Sequence, residues 1–430
     1  MYKILSYVFA AVIAVTSFLG IPVYEEETGT SIIAAELFEN GAFINGEIGI
    51  GFDKQSVNTV EIELESSAPA EVKIYNGDEL IYQRSSSDIY RFCAFRTVET
   101  DALTLEISGG VNVKSVTVSL KQSDNKDFRV TSYFVSQYVS EENAIAPEVF
   151  EVVTDAILFG CVTFDENAEM TVNKDLLEPS LANLRNAIGD KDVNVYINIL
   201  GPGSDGGIDD WYEQMDNQAE KHSKVFKTKK LEGKIAALLD EYKLDGIFFD
   251  YEYPIDMKYW SDFSRFLVRL DKATDKKIGL AVAHWDIGLS YSAMKAVDMV
   301  EVMQYDLFDD TGNHSSFTSA VDGFNAVRDY LLPREKADLG VPFYGRPANA
   351  GAYWYNYNEY ADKINTNDYA ETEQGGTYFN SWQTIYDKTA YAISRGLGGM
   401  MVWHYSCDVD FKSDISLFAA MDDCIKDRIK

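Results

Sequence analysis

Two acids stand out in the stretch Leu244-Asp245-Gly246-Ile247-Phe248-Phe249-Asp250-Tyr251-Glu252-Tyr253-Pro254. A carboxylate inside so apolar a run is costly unless it is paired or put to use. Asp250 and Glu252 are two residues apart, so an extended strand turns both to the same face. Acids that close titrate as a coupled pair, and burial raises the pKa of one of them. A carboxylic acid kept neutral at working pH can protonate a leaving oxygen. The structural alternative is a pair that only closes the strand and caps the next helix. Pro254 fits either reading, since it helps to stop the strand.

A reactive strand needs neighbours to hold it, and the sequence supplies them. Apolar runs of strand length cover 130–139, 156–164, 193–200, 246–251, 278–283, 299–305, 339–344 and 399–405, with helix-length connections between them. Near-continuous apolar runs are the mark of parallel strands buried on both faces. Eight of them with helical crossovers predict a (β/α)8 TIM barrel of about 300 residues, whose chemistry sits at the C-terminal strand ends. All six tryptophans lie in this half. Residues 36–122 have another texture. Val60-Glu61-Ile62-Glu63-Leu64 and Val72-Lys73-Ile74-Tyr75 alternate apolar and polar, broken by turn signals such as Asn76-Gly77-Asp78. That pattern predicts a small all-β sandwich ahead of the barrel. Its Tyr75, Tyr82, Tyr90 and Phe92 are either a platform for sugar or plain core. The polar run Gln122–Asp127 reads as a linker. The expected organisation is an export signal or anchor over 1–30, a β-sandwich over 31–125 and the barrel over 126–430.

The net charge is −31 and the pI is near 4.4, which makes polyanions such as nucleic acid and anionic membranes poor partners. Cys93, Cys161, Cys407 and Cys424 form no CxxC pair, and the four histidines are scattered, so neither a metal site nor a cofactor is expected. Lys3 followed by an apolar run to about Val23 fits an export segment, cleaved or retained as an anchor. The expectation is a secreted or surface-anchored monomer with no other membrane segment.

Four motifs then carry a resemblance. Asp245-Gly246, Asp250 and Glu252-Tyr253-Pro254 resemble the DGxDxDxE signature of family 18 glycoside hydrolases, the chitinase family. Met303-Gln304-Tyr305-Asp306 is similar to the family's MxYD element, and Gly340-Val341-Pro342-Phe343-Tyr344-Gly345-Arg346 to its GxPFYGR segment. Gly398-Gly399-Met400-Met401-Val402-Trp403, with Asp408 beyond, is similar to its last strand. The resemblance covers about 128–425. It implies a retaining reaction assisted by the substrate's own acetamido group, an exception to the two-carboxylate scheme. Its substrate would be a glycan containing N-acetylglucosamine, cut at β-1,4 bonds, and chitin or chito-oligosaccharides fit best. Glu252 is implied as the acid, Asp250 as the group that orients the acetamide, Tyr305 as its hydrogen-bond partner, and Asp245 as a further member. Trp403, Asp306, Met303, Tyr344, Arg346 and Tyr133 are implied on the sugar-binding side.

Two departures qualify this. The signature's middle aspartate is Phe248, so Asp250 must be positioned by other neighbours. The third strand ends Asn198-Ile199-Leu200-Gly201 and not in the family's SxGG. The short connection between Arg346 and Gly398 leaves no room for a full inserted domain, which implies a shallow cleft and endo cutting. Tyr353, Trp354, Tyr355 and Tyr357 within it are candidates for the rim. Alternatives are hydrolysis of peptidoglycan or of the N-glycan chitobiose core, and a silent glycan-binding protein on the same fold.

Overall fold

The computed structural model describes residues 30–430 except 142–143, 253–255, 349–352 and 365, without the side chains of 39–40. The export segment expected over 1–30 lies outside them but for its last residue. Among the described residues no helix is long and apolar enough to cross a membrane.

Four antiparallel strands come first: β1 (Thr30–Leu64), β2 (Ala70–Asn76), β3 (Glu79–Ser86) and β4 (Tyr90–Lys121), in the order β1-β4-β2-β3. Strands as long as β1 and β4 bend at register shifts. Val60 therefore pairs with both Cys93 and Val118. The expected all-β unit is present, but its layers belong to one continuous sheet that folds over Val57, Val60, Ile62, Leu105 and Val116.

The eight apolar runs are the eight strands of a closed barrel. In chain order they are β5 (Arg129–Val135), β6 (Asp155–Phe159), then, after a hairpin of β7 (Val162–Phe164) and β8 (Met170–Val172), β9 (Asn194–Ile199) and β10 (Gly246–Asp250). Next come β11 (Lys277–Ala283), β12 (Met299–Met303) and β13 (Ala337–Pro342). A small antiparallel sheet comes after them, made of β14 (Tyr344–Pro347), β15 (Tyr355–Asn356), β16 (Tyr369–Thr372) and β17 (Gly375–Tyr378). The last barrel strand, β18 (Gly399–Trp403), pairs with β5 and closes the ring.

Helices α1 (Ser136–Val139), α2 (Lys174–Ile188), α3 (Trp211–Lys227), α4 (Leu231–Tyr242) and α5 (Met257–Asp271) connect the first half. In the second half are α6 (Tyr291–Ala296), α7 (Phe317–Asp329), α8 (Tyr357–Tyr360), α9 (Trp382–Ser394) and α10 (Leu417–Arg428). α5 shows why they pack: Trp260, Phe263, Leu267 and Leu270 recur at helical spacing and are all buried, and Asp256 caps the N-terminus through the Lys258 N–H.

The front sheet is docked on the barrel, not held away by a linker. Phe92 is fully buried and stacks on Phe317 of α7 at 5.7 Å, with Tyr391 of α9 edge-on at 5.5 Å. Buried Asp387 of α9 accepts from the Tyr82 hydroxyl at 3.0 Å and the Ala94 N–H at 2.9 Å. Arg84 reaches Asp368 at 3.3 Å. Arg428 of α10, also buried, donates to the Asn58 and Phe95 carbonyls at 2.6 and 3.1 Å. The polar run read as a linker is pinned too: the Ser123 N–H donates to the Arg428 carbonyl at 2.8 Å. Tyr82 and Phe92 are thus sealed inside this seam and cannot form a sugar platform. Tyr75 and Tyr90 are half-buried and give their hydroxyls to Glu106 and Glu61.

Phe92→Ala is expected to cost about 3–5 kcal/mol. Every tryptophan lies in the barrel half, Trp382 at the seam with the sheet, so tryptophan fluorescence in urea follows the unfolding of the barrel. A barrel midpoint that stays put in this variant would make the sheet an independent module.

Candidate active site

Side chains on a strand alternate, so the inner wall of the barrel can be read from a few positions. Tyr133, Ile157, Tyr196, Phe248, Ala281, Met299, Met303 and Met401 form one buried cluster inside it. Phe248 faces inward, hence Asp250 does as well, one step nearer the mouth. Its Oδ1 is buried and finds no hydrogen-bond partner among the described residues. Glu252 lies just past the strand end and is half-buried. Burial pushes both carboxyls well above their ordinary range, and the negative charges of Asp250 and Asp306 add to the shift on Glu252. The pair can therefore hold a proton near neutral pH.

Around the two acids stand residues from other strand ends. Tyr305 and Asp306 follow β12, with one residue between them and its end at Met303. Asp306 takes a left-handed backbone (φ 59°), which an aspartate tolerates and which turns its carboxylate toward the next loop. There the Tyr344 hydroxyl donates to Oδ1 at 2.7 Å and Arg346 Nη1 lies at 2.8 Å. The Asp306 N–H donates to His314 Nε2 at 3.0 Å. Burial alone would raise the Asp306 pKa, but His314 beside it, the Tyr344 hydroxyl and Arg346 outweigh it and hold the carboxyl far below its usual range. Trp403 ends β18, half-buried, with its ring 5.2 Å from Tyr133 and 4.9 Å from Phe159.

The site residues expected from sequence fall into three groups. Glu252, Asp250, Tyr305, Asp306, Arg346 and Trp403 come together at the mouth. Tyr133, Met303 and Tyr344 are 2%, 9% and 1% exposed, so they lie beneath the mouth and act through the groups they support. Asp245 does not belong to the site. It precedes β10 at the opposite end of the barrel, where its carboxylate accepts the Val195 N–H at 2.8 Å. Five residues of strand at about 3.3 Å each separate it from Asp250. Asp408 likewise serves the fold: it accepts the Leu417 and Phe418 N–H groups and so caps α10. Of the insert aromatics, Tyr357 is buried and bonds the Ile415 carbonyl, whereas Tyr353 and Trp354 are exposed and Trp354 packs on Tyr344 at 4.7 Å.

Sequence reasoning missed His314, which sits alone in a polar loop and gives no signal. It also missed the exposed Tyr138, Trp211, Trp285 and Phe308, each in a segment after a barrel strand and thus on the same face as the acids. Their signal was present, since the relevant loops of a barrel are those at the C-terminal ends of its strands.

Comparison with known proteins agrees with this geometry. The model of glycosyl hydrolases family 18 matches residues 129–408. Among solved structures, a family 18 chitinase from the chitin utilization locus of Flavobacterium johnsoniae superposes with a TM-score of 0.55 at 22% identity, covering 71% of this chain and 95% of its own. A class V chitinase from Nicotiana tobaccum, solved in complex with NAG4, gives 0.54 at 17% identity, with 68% and 97% covered. A chitinase-like agglutinin from Robinia pseudoacacia gives 0.51 at 20% identity, with 68% and 98% covered. With the family match spanning most of the chain and the barrel carrying its acids at the expected strand end, the protein belongs to family 18 of the glycosyl hydrolases and is a glycoside hydrolase of chitinase-like fold.

Proposed function

We propose that this enzyme cuts β-1,4 bonds next to N-acetylglucosamine in chitin or chito-oligosaccharides, as a retaining, substrate-assisted, endo-acting hydrolase. One observation carries the reading: a half-buried acid at the end of β10 with a raised pKa, beside a second inward-facing acid. Glu252 protonates the glycosidic oxygen as the bond breaks, and later takes a proton from the incoming water. Asp250 orients the substrate's acetamide N–H and stabilises the developing positive charge. The acetamido oxygen attacks the anomeric carbon, and Tyr305 bonds that oxygen. Trp403 gives the apolar floor under the ring, and Asp306, fixed by His314, Tyr344 and Arg346, binds the sugar beside it.

The exposed aromatics around the mouth suit a long neutral chain, because sugar C–H faces pack on aromatic rings and the acidic surface does not repel them. The insert of β14 to β17 is short, which favours a shallow cleft and cutting within the chain. Such a polymer lies outside the cell, in keeping with the export segment read at the N-terminus; the sheet and barrel then form the exported part. Phe248 gives the competing reading, sugar binding without cleavage, its main support. Glu252 argues against it, since a binder has no use for a raised acid.

Wild type should cleave a chito-oligosaccharide series into mixed internal products, read by mass. Glu252→Gln should lower kcat about 10²–10⁴-fold, the range for loss of general acid–base catalysis. Binding that persists with no cleavage by wild type would favour the silent reading.

The acid must be protonated to act, so kcat/KM falls as pH rises through its pKa. Because that pKa is raised, the alkaline limb is expected well above the ordinary glutamate range. Asp306→Asn removes a negative charge that holds the Glu252 proton, so the limb should move to lower pH. A limb that stays in place or moves upward would take Asp306 out of this role.

A further inference from the structure

Phe248 leaves Asp250 without an acid neighbour on its own strand, but another strand sends a carboxyl into the barrel. Glu301 lies on β12 two residues before Met303, whose side chain faces the interior, so period two points Glu301 inward as well. It is fully buried. The Tyr133 hydroxyl donates to its Oε2 at 2.6 Å, while Oε1 has no hydrogen-bond partner among the described residues. Tyr133 comes from β5, three strands away round the ring, and spans the interior to reach it. Its ring meets Trp403 at 5.2 Å, Phe159 at 6.0 Å and Phe248 edge-on at 6.4 Å.

We propose that Glu301 is a positioning residue for the reaction: it anchors the Tyr133 hydroxyl inside the barrel, and Tyr133 in turn holds the Trp403 floor and the Asp250 side of the mouth in working geometry. This rests on the hydrolase reading above. The anchor takes over a support that Phe248, with no polar atom, cannot give. Phe248 fills the space instead, with its ring over Gly279, where a Cβ would lie 2.2 Å from Cζ.

The groups facing Glu301 favour its neutral form. Its β11 neighbour is Ala281, and β10 and β18 present Phe248 and Met401, none of them charged. Burial pushes the carboxyl well up. The hydrogen bond from Tyr133 opposes this, the charges of Asp338 on β13 and Asp155 on β6 reinforce it, and Arg129 on β5 opposes it. Arg129 is already committed to Asp338 at 2.6 Å. Tyr305 feels Asp250, Glu252 and Glu301 together, and Tyr133 feels Asp250, so the anchor and the acids share one electrostatic neighbourhood.

The test compares Glu301→Leu, Glu301→Gln, Tyr133→Phe and the Leu/Phe double variant. Glu301→Leu should lower kcat on chito-oligosaccharides by about tenfold to a hundredfold, the scale of a misplaced reacting group, with KM within about twofold. Glu301→Gln, which keeps the hydrogen bond and cannot ionise, should restore most of that loss. Thermal unfolding needs no substrate: the Tm loss of the double variant should be clearly less than the sum of the single losses. A folded-state pKa above the unfolded one gives stability that is lost as pH rises, so wild type should lose Tm relative to Glu301→Gln as pH rises from about 4.5. With an active wild type, additive Tm losses or equal kcat for the Leu and Gln variants overturn the anchor. A wild type that cleaves no chito-oligosaccharide sinks the chitin reading, and the role of Glu301 in that reaction with it, whatever the unfolding data say about the pair.

Discussion

Closing eight strands into a ring sends every second side chain into a space that water leaves. Any acid there is neutral, paired or stacked against other polar groups, because an isolated buried charge is too costly to keep. The interior of this barrel is sorted by that rule. At its lower end Asp338 is paired with Arg129, and Asp155 accepts from Tyr196 and Asn194. In the middle Glu301 holds the Tyr133 hydroxyl. Near the mouth Asp250 Oδ1 finds no such partner among the described residues, and burial raises both carboxyls so that the pair can hold a proton near neutral pH. Reactivity at the top is thus the remainder of a constraint met by pairing below.

The second constraint is the loop that carries Asp306. Its far side is fastened by α9 and the turn before it: buried Lys388 donates to the Ser315 carbonyl at 2.7 Å, and Asn380 to the same oxygen at 3.0 Å. The adjoining Asp387 binds the front sheet. The sheet also touches the loop directly: Ser87 lies 3.0 Å from the Thr311 hydroxyl, and Asp88 accepts from Thr318 at 2.5 Å. One helix and one turn of the sheet therefore brace the segment between Asp306 and His314. The front sheet is part of the frame that keeps the mouth in shape.

Much of this was legible because the barrel writes itself into sequence twice, as apolar runs and as the polar residues at their C-terminal ends. All eight runs became strands, and the motif residues at their ends converged. Asp245 misled because a signature is read as a line: residues five apart on a strand are at opposite ends of a barrel. Tyr344 and Met303 were placed at the sugar because motif membership does not separate a contact from its support. Glu301 was missed although the argument used for Asp250, a carboxylate in an apolar strand, applied to it unchanged. The docking of the sheet was not legible at all. Its partners, the rings of Phe317 and Tyr391 and the polar Asp387 and Arg428, lie on helices hundreds of positions away, and no local pattern marks them.

That distance matters for how the molecule is made. Arg428 is hydrogen-bonded to Thr59, 369 positions earlier in the chain. When β1 and β4 leave the ribosome, the surfaces that will cover Phe92 and the Asn58 and Phe95 carbonyls do not yet exist. The sheet must wait, with part of its face bare, until the last helix has been synthesised. A chain built this way completes the seam between sheet and barrel only once that helix is in place.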